Sequence, residues 1–145
     1  MNKRRIVLVA TVISVVLVAC GGGGESSVSV DDAWGRTSPS SAANAAFYMV
    51  IEGGTEPDTL VSADAAACGI TELHISVMSD GVMSMQHLPD GIDVPAGQAV
   101  VLEPGSFHVM CIDRQQEFVA GASIPLTLEF AGSGTMEVTV EIRDE

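Results

Sequence analysis

"TELHISVM", residues 71–78, and "VMSMQHL", residues 82–88, stand on either side of Asp80-Gly81. Both runs are short and apolar, the first with β-branched residues, and Asp-Gly favours a turn, so the segment predicts two strands with a break between them. Side chains alternate between the two faces of a strand. His74, Ser76 and Met78 therefore share one face of the first run, and Met83, Met85 and His87 share one face of the second. The same rule applies to "FHVMCI", residues 107–112, where His108 and Met110 project together and Cys111 points the opposite way.

Moving outward, the rest of the chain has the same character. "SVSV" (27–30), "AFYMVIE" (46–52), "TLVSA" (59–63), "AVVLE" (99–103), "IPLTLEF" (124–130) and "TMEVTVEI" (135–142) are short runs of the same kind. Between them lie Gly53-Gly54, Pro89-Asp90-Gly91, Pro95-Ala96-Gly97, Pro104-Gly105 and Gly132-Ser133-Gly134. Regular short strands with such turns predict an all-β fold, an antiparallel sandwich or barrel. The last two runs form a closing hairpin with Leu126, Leu128 and Phe130 facing inward on one strand and Val138, Val140 and Ile142 on the other. "SPSSAANAA" (38–46) is too short for a helix and reads as a loop or a single turn.

The N-terminus is of a different kind. Lys3, Arg4 and Arg5 precede an apolar run of fourteen residues, Ile6 to Ala19, and Cys20 is followed by Gly21 to Gly24. The run is shorter than the ~20 residues of a permanent membrane helix and reads as an export signal. "LVAC" (17–20) resembles a bacterial lipobox, which implies cleavage before Cys20 and lipidation of that cysteine. The expected organisation is a signal peptide at 1–19, a lipidated Cys20 with a flexible Gly/Ser tether over 20–27, and one domain over 28–145, held at the outer face of the cell membrane. Beyond Cys20 only Arg36, Arg114 and Arg143 oppose all nineteen acidic residues, a formal net charge of −16. Such a surface repels phosphate backbones and argues against nucleic acid as a partner.

Two imidazoles with one or two thioethers, drawn from the three segments above, would make a metal site if the fold gathers them. Thioether and imidazole donors suit a soft monovalent ion, Cu(I), whereas zinc sites favour His, Cys and carboxylate. Outside the cytoplasm a thioether also survives oxidation better than a free thiolate.

The run from Glu72 to Asp113, "ELHISVMSDGVMSMQHLPDGIDVPAGQAVVLEPGSFHVMCID", closely resembles the exported copper chaperones called PCu(A)C. Ten residues separate His74 from Met85, and twenty-two separate Met85 from His108, which opens the His-x-Met of His108 and Met110. "AWGR" (33–36), "AAFYMVI" (45–51), "VPAG" (94–97) and Pro104-Gly105 agree as well, so the likeness spans roughly residues 28–142. It implies a cupredoxin-like Greek-key β-sandwich and a Cu(I) site of His74, Met85, His108 and Met110. It also implies delivery of copper to the dinuclear CuA centre of cytochrome c oxidase, with that copper-centre subunit or an Sco-type protein as acceptor. Members of this family are not enzymes, and the chain has no nucleophile or acid/base constellation of its own.

Met83 shares Met85's face and can stand in for it. Together with Met78 and His87 it forms a set of secondary neighbours of the site, His87 being read as an exposed bystander near a turn. Met49 and Met136 belong to the core and Trp34 to packing. With Cys20 lipidated, Cys68 and Cys111 are the two thiols left in an oxidising compartment, and they pair as a disulfide. The loop they close, about 42 residues, gives on the order of 4 kcal/mol in the chain-entropy model. Two rivals stay open: a structural or ligand-binding surface lipoprotein, and a redox copper protein ligated by Cys111.

Overall fold

The turns and the β-branched runs set where strands begin and end. A computed structural model describes residues 27–144. The signal segment, Cys20 and most of the tether lie outside those residues. Ten strands follow in order: β1 (Ser29–Arg36), β2 (Ala45–Glu52), β3 (Asp58–Asp64), β4 (Cys68–Ser79), β5 (Val82–His87), β6 (Ile92–Val94), β7 (Ala99–Leu102), β8 (Phe107–Arg114), β9 (Ser123–Phe130) and β10 (Gly134–Arg143). Among the described residues no helix is long and apolar enough to cross a membrane.

The hydrogen-bonded order is β5-β4-β8-β7-β2-β1-β10-β9-β3-β6, with β8 also pairing with β2. Most pairs are antiparallel, but β1 runs parallel to β10 and β7 meets β8 in parallel at Leu102 and Phe107. β1 and β10 come from opposite ends of the domain, so no tight turn forces them to be antiparallel. Two strands depart from the sequence-based expectation. β6 is only three residues long, and β1 runs past Asp31 and Asp32 to Arg36. The register slips between Asp31 and Trp34, where Asp32 takes a φ of 48°; this bulge carries the strand through two residues that ordinarily end one.

One continuous core joins the two halves of the ladder as layers of a sandwich. Phe47, Met49 and Ile51 of β2, Leu73 of β4 and Val109 of β8 meet Leu60 of β3, Ile124, Leu126 and Leu128 of β9, and Val140 and Ile142 of β10. All are almost wholly buried. Each such side chain contributes roughly 1.5–3 kcal/mol of transfer free energy, an upper estimate because the unfolded chain is already partly compact. Cys68 and Cys111 are joined by a disulfide inside this core, with Cα atoms 5.4 Å apart.

Two local devices fix the edges. Asp80 (φ 52°) and Gly81 (φ 79°) form a two-residue turn of the left-handed kind, which matches strand twist and sets the β4–β5 register from the closing pair Ser79–Val82. Arg114 donates from its guanidinium to the carbonyls of Ala42 (2.9 Å) and Pro39 (2.7 Å) and lies 5.3 Å from the Phe118 ring centroid. It thereby fastens the β1–β2 connection, the segment expected to be a loop, against the end of β8.

Candidate metal centre

The β4–β5 register places His74 opposite His87, Ser76 opposite Met85 and Met78 opposite Met83. On the other side of β4, His74 lies opposite His108, and Glu72 opposite Met110. Residues directly opposite one another project to the same face. Glu72, His74, Ser76, Met78, Met83, Met85, His87, His108 and Met110 therefore occupy one face of a three-stranded raft, β5-β4-β8. Val109 and Cys111 of β8 point from the opposite face into the core.

The three imidazoles stand in one row. Ring centroids are 5.6 Å apart for His87 and His74, and 5.7 Å apart for His74 and His108. The row continues across the sheet, with Tyr48 at 6.4 Å from His108 and Trp34 at 4.7 Å from Tyr48. Trp34 thus packs on Tyr48, and the aromatic neighbours help explain why His108 is only 3% exposed although it faces away from the main core.

Both inner rings are held in a defined sense. His74 Nε2 donates to the Glu72 carboxylate at 2.8 Å, and His108 Nδ1 donates to the Ser106 carbonyl at 3.1 Å. The remaining nitrogens, His74 Nδ1 and His108 Nε2, are buried and have no hydrogen-bond partner. A buried imidazole nitrogen without a partner is unfavourable by itself, by about 1–3 kcal/mol. A nitrogen whose ring partner is fixed by a carboxylate or carbonyl is also the form in which histidine binds metals. Burial holds the His108 pKa below its ordinary value; the Ser106 carbonyl opposes this and neighbouring His74 adds to it. The free nitrogen therefore stays unprotonated at neutral pH.

The thioethers differ in position. Met110 is half-buried beside Glu72, while Met85 is 56% exposed one strand step from the imidazole row. Met83 (55% exposed) and Met78 (64%) face each other one step further out, toward the Asp80-Gly81 turn. Met49 lies in the core and Met136 packs against it. Among the described residues no three His, Cys, Asp or Glu side chains converge in a metal-binding arrangement, so thioethers are needed to complete a donor set. Cys111 is fully buried and bonded to Cys68, which leaves no thiolate on this face.

Two contributors were not singled out in the sequence. Glu72 could have been found from alternation, since Glu-x-His puts both side chains on one face. The Ser106 carbonyl is a backbone group and has no sequence signal.

Comparison with known proteins agrees with this architecture. A family model described as "Putative lipoprotein LpqE-like" matches residues 28–142. "Putative lipoprotein Lxx21020" of Leifsonia xyli subsp. xyli is 32% identical over 117 residues, covering 81% of this chain and 70% of that protein. Among solved structures, the copper-bound PCuAC domain from PmoF2 superposes with a TM-score of 0.69 at 21% identity, covering 81% of this chain and 93% of that one. The Cu(I) form of DR1885 from Deinococcus radiodurans gives a TM-score of 0.68 at 22% identity, covering 88% and 86%. The fold is thus the cupredoxin-like β-sandwich of PCuAC domains, and the chain belongs to the LpqE-like lipoprotein family.

Proposed function

We propose that this protein is an exported, lipid-anchored copper carrier whose cargo is Cu(I), held by His74, Met85, His108 and Met110. The observation that carries the reading is the pair of buried, partnerless nitrogens, His74 Nδ1 and His108 Nε2, on adjacent strands of one face. Two imidazoles that each leave one nitrogen without a partner, on a face that also bears Met85 and Met110, suit a soft monovalent ion.

Carriage suits this set better than catalysis. All four donors are neutral, so they can be replaced one at a time by an incoming protein without a proton having to move. Met85, exposed on β5, is the donor an acceptor reaches first. An acceptor with thiolates binds Cu(I) more strongly than thioethers do and draws the ion onward. Resemblance to PCu(A)C chaperones makes the CuA centre of cytochrome c oxidase, or an Sco-type protein, the acceptor to test. The acidic surface supplies a field that attracts cations.

Anaerobic titration with Cu(I) against a chromophoric chelator tests the reading: one ion should bind per chain and leave on addition of an apo oxidase copper domain. Failure of the protein to compete with the chelator would refute it. Partner or glycan binding unaltered by copper chelation would favour a structural lipoprotein instead.

A further inference from the structure

We propose that Met78 and Met83, near the tip of the β4–β5 hairpin, form a second and weaker site for a soft monovalent ion, Cu(I) or Ag(I), separate from the donor set of the proposed function. The two residues lie directly opposite one another. Pairs along an antiparallel ladder alternate between hydrogen-bonded and non-hydrogen-bonded, and the two-residue turn makes its closing pair, Ser79–Val82, a hydrogen-bonded one. Met78–Met83 is therefore a non-hydrogen-bonded pair, in which Cα atoms approach to about 4.5 Å and side chains on one face stand closest. Main-chain bonds further along β4 agree. The Leu73 carbonyl accepts from the Leu88 N–H at 2.8 Å, whereas the Ser76 N–H turns away from β5 and donates to the Ser106 carbonyl at 3.0 Å. Two long, flexible thioethers side by side can close on one ion.

Core packing does not account for these side chains. β8 pairs with β4 only as far as Ile75–Phe107, and past Ser76 the hairpin runs on with β5 as its one partner. Met78 is 64% exposed and Met83 55%. Of the eight large hydrophobic side chains exposed among the described residues, four (Met78, Val82, Met83 and Met85) belong to this hairpin, so the apolar surface is concentrated there rather than scattered. Leucine would supply the same surface; a thioether adds a soft donor. No basic residue lies on the hairpin to repel a cation, and Asp80 at the turn adds a negative charge. Two neutral sulfurs in water, without an imidazole, hold an ion less firmly than the four donors of the other site. The pair therefore fills second and does not add to the one ion per chain counted against a chromophoric chelator. It shares no donor with His74, Met85, His108 and Met110, so the two sites stand or fall separately.

The test uses the purified full-length chain with carbon-13 in its methionine methyl groups and two probes, silver nitrate and Cu(I) under argon, each followed by methyl nuclear magnetic resonance. The first equivalent should shift Met85 and Met110, and the second should shift Met78 and Met83 together. Met49 in the core and Met136 packed against it are internal controls and should not move. Met83→Leu keeps the apolar surface and removes the sulfur, and should cancel the shift at Met78 while the first step is unchanged. His108→Ala with Met110→Ala should leave the shifts at Met78 and Met83 in place. No shift at these two methyls after the first step, or a Met78 shift that survives Met83→Leu, would overturn the proposal. If Met78 and Met83 respond but Met85 and Met110 do not, the Cu(I) reading fails and the hairpin site stands without it. Melting curves of the Met83→Leu variant establish that this exposed position does not affect folding.

Discussion

His74 and His108 face each other across β4 and β8 with ring centroids 5.7 Å apart, and each commits one nitrogen to a neighbour while the other is buried without a partner. This arrangement is unfavourable by itself, and an electrophile bridging the rings would relieve it. Replacing His108 and Met110 together by Ala should abolish tight Cu(I) binding. Met110→Leu alone keeps the volume and removes the sulfur, and should weaken binding by about tenfold or more. Chelator competition reads both; retention of Cu(I) by the double variant would remove these residues from the site.

Under the proposed function, Glu72 would act through His74 rather than on the ion. Its carboxylate accepts a hydrogen bond from His74 Nε2 at 2.8 Å, which fixes the ring and leaves Nδ1 as the free donor. Glu72→Gln keeps the size but loses the charge, and should weaken Cu(I) binding about 10- to 100-fold, the range typical of outer partners of metal-bound histidines. A nitrogen-15 spectrum of the His74 ring would show the tautomer distribution loosened in the same variant. An unchanged tautomer would mean that the ring is fixed by packing alone.

The buried state of His108 sets a pH dependence. Its folded pKa lies below the ordinary 6.5, chiefly through burial. Below pH 6.5 the unfolded chain therefore binds more protons at this residue than the folded one, and stability falls as pH is lowered through the folded value. The contribution is present in full above 6.5. Melting temperatures of metal-free protein between about pH 7.5 and about pH 5 should decline, and His108→Gln should flatten the part of that decline due to this ring. An equally steep decline in the variant would assign the acid sensitivity to other groups.

Much of this could be read from the chain, and the exceptions have physical causes. The alternation of His108, Met110 and Cys111 follows from strand geometry and holds in β8, where Val109 and Cys111 face the core. The β4–β5 register also lies in the sequence, because counting outward from the two-residue turn Asp80-Gly81 pairs His74 with His87. His87 is exposed, as expected, and its ring stands 5.6 Å from that of His74. The pairing of His74 with His108 is different in kind. No turn connects β4 to β8, so their register depends on packing of the whole sandwich, as do burial of His108 under Tyr48 and the short strand β6. The bulge at Asp32 was hidden because paired aspartates ordinarily end a strand.

The Cys68–Cys111 bridge ties the start of β4 to β8 behind the imidazole row. With a sequence separation of 43 it removes on the order of 4 kcal/mol of loop entropy from the unfolded chain. Cys68→Ser with Cys111→Ser should lower the denaturation midpoint accordingly, measured in urea. Copper binding by the folded fraction should persist, since neither sulfur is on the ligand face. Loss of Cu(I) binding from a variant that is still folded would restore Cys111 as a candidate ligand.

Met85 and Met83 share a face and nearly the same exposure, so neither alternation nor burial separates them. Distance along the strand does. Met85 opposes Ser76, one same-face step from the His74–His87 pair, and Met83 opposes Met78, two steps away. Each step is about 6.8 Å, so a thioether at 83 starts about 14 Å from the imidazole row, beyond what a methionine side chain spans. Met85→Leu should therefore weaken Cu(I) binding about tenfold or more, with Met83→Leu changing it by less than about threefold. Sulfur X-ray absorption on the two variants reads the same difference directly: the copper–sulfur count should fall in Met85→Leu and hold in Met83→Leu. Equal losses in both would mean that the hairpin bends at Asp80-Gly81 far enough for either sulfur to reach the ion.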